Sequence, residues 1–312
     1  MSHVIIRPAR VIVAALAAAL LLAGCGGPSR VGAAAIVGDQ RIPVSQVESW
    51  STVTMNEQPT LKEKLREQGQ LGELGRRLAG FAVRQQLVRR VAEKEQLSVD
   101  EQQVTARIKA QGGVRRATEG TILNSRNFRA SVRSRLLLAE LGRKYVDRLS
   151  ITIDYTQATS RADAQRKAQR MARGPREAAE LIAADRAAGT ATGTGKRMQA
   201  MENPRMALNT PLFGAEPGTV LAFRGSKQRS AGQWMIALVR ERATTSQASA
   251  ETGQLGDRAM LAFGRRLLGL TAQRADVRLS PRYGAWDPIQ LTAVPEEGQT
   301  TGFRIGGHAL ST

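Results

Sequence analysis

"SITIDYTQAT", residues 150–159, is where the chain changes character. Upstream of it, apolar residues return every three, four or seven positions. Here they alternate with polar ones, and Ile151, Thr152, Ile153 and Thr156 are β-branched. Alternation with β-branched side chains marks a strand, because successive residues point to opposite faces of a sheet. A strand placed after a long helical stretch predicts an α+β chain, with a mainly helical first part and a small antiparallel sheet in the second.

Working upstream, residues 127–149 carry Phe128, Val132, Leu136, Leu141, Tyr145 and Leu149 at helical spacing. Arg126, Arg129 and Arg133 stand three and four apart on another face, a positive stripe suited to anionic surfaces. Residues 61–96 also read as helix, with a break expected between Gly69 and Gly75, since each glycine costs about 1 kcal/mol against alanine inside a helix. Ser98-Val99-Asp100-Glu101 has the form of a capping box, with Ser98 as the cap. Near the start, Ala35-Ile36-Val37 is a strand, Gly38-Asp39 its turn and Arg41-Ile42 the return, with Ser45 capping a helix from Gln46.

Downstream, helices are expected over 161–173, 175–188 and 254–272. "GTVLAF" (218–223) and "GQWMIALVRE" (232–241) read as strands, and "ADVRLSPRYGAWDP" (275–288) as a last strand and turn. "GTATGTGKR" (189–197) reads as a flexible loop; Thr190 and Arg197 occupy positions where a phosphate loop needs glycine and Ser or Thr. Residues 293–312 read as a disordered tail.

The 312 residues hold one cysteine, two histidines and a formal charge of +19. Excess charge points to anionic partners, and it is densest from Arg107 to Arg148. With His3 in the leader and His308 alone near the end, a Ser-His-Asp triad, a Cys-His dyad and a histidine-built metal site all lack members. No catalytic residue, metal site or cofactor is assigned. The lone cysteine follows a leader: Arg7 and Arg10, the apolar run Val11–Ala23, then "LAGC" ending at Cys25. That order is a secretory signal, with a run too short to span a bilayer. Its last four residues look like the lipobox of bacterial lipoproteins, which implies lipidation at Cys25, loss of residues 1–24 and a short tether over 25–32. Export then makes nucleic acid an improbable partner and leaves a cell-membrane protein facing outward.

Three stretches resemble the extracytoplasmic foldases and chaperones of the SurA and PrsA type: "AIVGDQRIPVSQV" (35–47), "VAEKEQLSVDEQQVTARI" (91–108) and "NFRASVRSRLLLAEL" (127–141). The resemblance implies a SurA N-terminal-like helical domain over 33–150. "NTPLFGAEPGTVLAFRGSKQRSAGQWMIALVRER" (209–242) is similar to the end of a parvulin domain, which implies a degenerate parvulin-like domain over 151–242. Residues 243–292 are then expected to pack back on the first domain. Active parvulins place histidines on the first strand and near the start of the last; Ile151–Tyr155 has none and Trp234 stands near the second position. The family's Cys or Asp partner has no clear equivalent; Asp154 is either a stand-in for it or an ordinary strand-end carboxylate.

What the resemblance implies is a membrane-anchored, ATP-independent holdase for unfolded or newly exported polypeptides, without isomerase activity. Phe213, Phe223 and Trp234 are the candidate lining of its client groove. The alternatives are an active parvulin-type prolyl isomerase and a non-enzymatic lipoprotein that uses its arginine stripe on anionic lipid or wall polymer. Nothing in the sequence sets an oligomeric state.

Overall fold

The computed structural model describes residues 31–224, 232–246 and 255–306; the leader, Cys25 and His308 lie outside them. The fold is α+β. Strand β1 (Ala33–Val37) is buried along its whole length, turns at Gly38 with φ +63°, and pairs antiparallel with β2 (Gln40–Pro43). Helix α1 (Val44–Glu57) leaves β2 directly: Pro43 occupies the cap position in an extended conformation, and Ser45 lies inside the first turn instead of capping it. Next come α2 (Pro59–Glu67) and α3 (Leu71–Glu95), broken at Gln68–Gln70, where Gly69 takes φ +63°. Gly72, Gly75 and Gly80 remain helical in α3. A Cβ at Gly80 would meet the backbone of Ala293, so this glycine is a seat for the C-terminal segment.

Helix α4 (Glu101–Ala110) is capped by Asp100, whose carboxylate accepts the Gln102 amide at 2.9 Å. Ser98 stands two residues too early for the role assigned to it, and Glu101 reaches away to two arginines. Helices α5 (Gly113–Thr118) and α6 (Phe128–Tyr145) follow. Val104, Phe128 and Val132 form a small separate cluster that fastens α4 to α6.

Residues 150–158 form the expected strand, β3 (Ser150–Ala158). Helices α7 (Arg161–Met171) and α8 (Pro175–Ala187) lead to β4 (Gly193–Gln199). Of the stretch 189–197, residues 189–192 are the expected loop, but 193–197 belong to an edge strand. Its glycines concealed it: Gly195 takes φ +60° beside a register shift in the β3 pairing, and its amide donates to Asp154 Oδ1 at 2.7 Å. After α9 (Pro204–Asn209) and a short 3₁₀ turn at Leu212–Gly214 come β5 (Thr219–Arg224), β6 (Trp234–Ala243) and α10 (Asp257–Ala275).

The C-terminal segment contains β7 (Val277–Leu279), β8 (Ala285–Asp287), β9 (Thr292–Val294) and β10 (Gly302–Gly306). Strand β7 pairs with β1, giving a three-stranded sheet in the order β2-β1-β7. Strand β10 pairs with β5, completing an antiparallel sheet in the order β10-β5-β6-β3-β4. The disorder expected over 293–312 is thus overturned for 293–306. Polar composition misled, because "GFRIG" is an edge strand whose hydrogen bonds come from β5 and whose Phe303 and Ile305 cover one face.

One face of this sheet, with Ile151, Ile153, Leu221, Phe223 and Val239, belongs to the same buried cluster as Leu78, Leu87 and Leu141 of the helices. Fully burying each such side chain stabilises by about 1.5–3 kcal/mol. The opposite face packs Val220, Ile236 and Leu238 against Ala164, Ala168 and Ile182 of α7 and α8. Helix α10 fits against α6 through two glycines. A Cβ at Gly264 would overlap the Leu138 carbonyl, and one at Gly142 the Met260 carbonyl. The backbones can approach this closely only because neither position carries a side chain.

Candidate functional site

Strands β5 and β6 end at a cavity of about 800 Å³. Phe223, Trp234, Pro211, Ile289, Arg161 and Thr300 are among the residues that line it. The strand register explains the pair: Phe223 lies opposite Met235 and Arg224 opposite Trp234, so the two rings leave opposite faces of the sheet at the same end.

Trp234 stacks on Phe303 of β10, with centroids 5.9 Å apart and planes at 22°. The Arg161 guanidinium lies 4.5 Å from the Phe303 centroid and 5.7 Å from that of Trp234, and Arg224 approaches Trp234 at 5.5 Å. These are cation–π distances, worth about 0.5–2 kcal/mol each according to exposure. Arg161 is fixed by donating to Thr300 Oγ1 at 2.7 Å and to the Glu297 carbonyl at 3.1 Å. The Trp234 indole N–H is buried without a hydrogen-bond partner among the described residues. A buried donor left unmatched costs about 1–3 kcal/mol.

The three candidate groove residues do not share one place. Phe223 and Trp234 line the cavity, whereas Phe213, in the 3₁₀ turn, packs on Phe263 with centroids 6.1 Å apart at 71°. Asp154 is buried, and its Oδ2 accepts from Arg240 at 2.8 Å while its Oδ1 holds the β4 irregularity. Arg161 and Phe303, which sequence reasoning did not select, complete the aromatic site. Alternation of Phe303 and Ile305 was the available signal for the second of them.

The arginine stripe is also redistributed. Arg126 precedes the first residue of α6 and donates to Ser49 Oγ at 2.8 Å. Arg129 and Arg133 both turn to Glu101, at 2.6 Å for Arg129 Nη2 and 2.8 Å for Arg133 Nε. Hydrogen bonds from Arg133 and then Arg129 hold the Glu101 carboxyl below its ordinary range. A further sheltered carboxylate, Glu95, accepts from Lys144 Nζ at 2.7 Å and from the Tyr145 hydroxyl at 2.6 Å. Burial raises the Glu95 pKa, but these two donors outweigh it and the net shift is downward. Burial and then the Glu95 hydrogen bond push the Tyr145 phenol up to about 12.

No family model matches the chain. No curated protein matches it either. Among solved structures, it is similar to the foldase protein PrsA from Lactococcus lactis, at 12% identity over 80% of this chain and 94% of that one, with a TM-score of 0.25. It is likewise similar to the foldase protein PrsA from Streptococcus pneumoniae, at 11% identity over 77% of this chain and 94% of that one, with a TM-score of 0.21. Scores of 0.25 and 0.21 do not describe a common superposition. Among the described residues no helix is long and apolar enough to cross a membrane.

Proposed function

We propose that this protein is a membrane-anchored, extracytoplasmic chaperone that shields unfolded or newly exported polypeptides without ATP and without prolyl isomerase activity. The observation that carries the reading is Trp234: a buried ring that lines an 800 Å³ cavity, with an N–H donor left unmatched among the described residues. An extended polypeptide offers what such a lining lacks, a backbone carbonyl for the indole and an apolar side chain for the rings. The cationic edge at Arg161 and Arg224 favours acidic or carbonyl-rich segments over basic ones. The leader and Cys25 support attachment to the membrane through a lipid on the cysteine sulfur.

The test is suppression of aggregation. A chain of residues 26–312, which retains β10, should slow the aggregation of several chemically unfolded proteins in the absence of ATP. Trp234→Phe keeps a ring but removes the donor, and should weaken protection severalfold while leaving the fold intact by circular dichroism. Failure of the unaltered chain to protect any client would sink the proposal. Acceleration of a proline-peptide isomerisation would restore the enzymatic reading, and mass spectrometry of the native product should find position 25 lipidated.

A further inference from the structure

A second pocket, of about 270 Å³, lies between α3, α6, α10 and the loop 121–123. Its walls include Phe81, Val88, Ile122, Leu123, Leu138 and Leu268. Three arginines converge on it from three helices: Arg84 from α3, Arg135 from α6 and Arg265 from α10. No carboxylate lines it. Arg84 donates to the Leu291 carbonyl and the Thr292 hydroxyl, both at 3.2 Å, while Arg135 and Arg265 have no ion pair or hydrogen bond among the described residues.

The other arginines of α6 find acidic partners, Arg129 and Arg133 on Glu101 and Arg143 on Asp257. Here like charges are held together instead. Burial, and after it the charge of Arg265, bring the Arg84 guanidinium down to about 10; desolvation and then Arg135 lower Arg265 in turn. Crowding three cations without an anion is unfavourable, and an entering anion would gain from all three at once. Size restricts the rest of the ligand. At about 270 Å³ the pocket is about a third the volume of the Trp234 cavity, so it suits a carboxylate with one apolar side chain and no folded segment.

We propose that this pocket binds a carboxylate carried on a short apolar stem, with Arg84, Arg135 and Arg265 holding the charge and the leucine-rich walls holding the stem. Two sources share that chemistry: the free C-terminus of a polypeptide ending in a residue such as leucine, and a free medium-chain acid. Neither source requires the Trp234 cavity, so this site stands or falls separately from the chaperone reading.

The experiment titrates three probes into the chain of residues 26–312 and follows heat: an acetylated tripeptide ending in leucine with a free carboxyl, the same peptide amidated, and octanoate. Saturable binding of the free-acid peptide, octanoate or both is expected, with the amide at least tenfold weaker, since charge-assisted hydrogen bonds are the ones lost. Binding by the peptide alone would identify a chain terminus as the source, and binding by octanoate alone a free acid. Arg135→Gln with Arg265→Gln, both exposed, should weaken the acid at least tenfold without lowering the unfolding midpoint. Leu268→Ala should weaken octanoate binding severalfold. Equal binding of acid and amide, affinity unchanged in the double variant, or no saturable binding of either acid would overturn the assignment.

Discussion

Two groups of arginines flank α6 and meet opposite fates. Arg129 and Arg133 emerge one turn apart and share Glu101, which reaches them from the start of α4. Arg135, two residues on, faces a pocket where Arg84 and Arg265 are its charged neighbours and no acid answers. Sequence alone makes the first group conspicuous and the second invisible. What separates them is packing: the close α6–α10 crossing delivers Arg265, and the seating of β9 on α3 holds Arg84 through Leu291 and Thr292.

That contrast can be broken at its root. Gly264→Leu puts a side chain where the Leu138 carbonyl lies and must push α10 away from α6. A loss of about 3 kcal/mol or more is expected, read as a lower urea midpoint, together with loss of carboxylate binding.

The intermediate case, Glu95, sharpens the comparison, because its carboxylate is paired and also sheltered. Glu95→Gln removes a charge-assisted pair of hydrogen bonds and should lower stability by about 1.5–3 kcal/mol. In the parent protein the pH dependence has two limbs here. The Glu95 pKa is depressed on folding, so its contribution is complete above the ordinary value of 4.5 and is lost as pH falls through the lower folded value. Tyr145 is raised, so its contribution is complete below the ordinary value of 10 and is lost as pH rises toward about 12. Tyr145→Phe should shrink the alkaline limb, leaving the part that burial of Tyr283 contributes, as followed by urea midpoints across that range.

The smallest effects should have opposite signs. Glu101→Gln strands two exposed arginines and should lower the midpoint slightly at low salt, while Arg265→Gln relieves repulsion and should raise it. Both differences should vanish in 0.5 M salt, to the order expected of a Debye length of roughly 4 Å. A fall in both would mean that Arg265 has a favourable role in the free protein.

Local pattern was sufficient for much of the fold. Alternation at Ile151–Tyr155 marked β3, and apolar spacing from Phe128 to Tyr145 marked α6, because each element buries one face along its own length. The errors arose where the partner is distant in sequence. Gly193–Gln199 and Gly302–Gly306 look like loop and tail because an edge strand needs only one bonded neighbour and can keep many polar residues. The candidate site shows the same limit. Phe223 and Trp234 could be chosen from a strand pair, but Phe213 turned into the core, and Arg161 and Phe303 came from segments that only the sheet brings together.

The pairing of β1 with β7, and of β5 with β10, joins early and middle residues to late ones. On a ribosome, residues 33–37 therefore emerge long before their partner at 277–279 exists, and the five-stranded sheet lacks its last member until residue 306 is made. Contacts of such long span form slowly and leave apolar edges uncovered meanwhile. While it is being synthesised, then, this protein is itself an unfinished chain with bare strands, in need of the kind of shelter proposed as its own service.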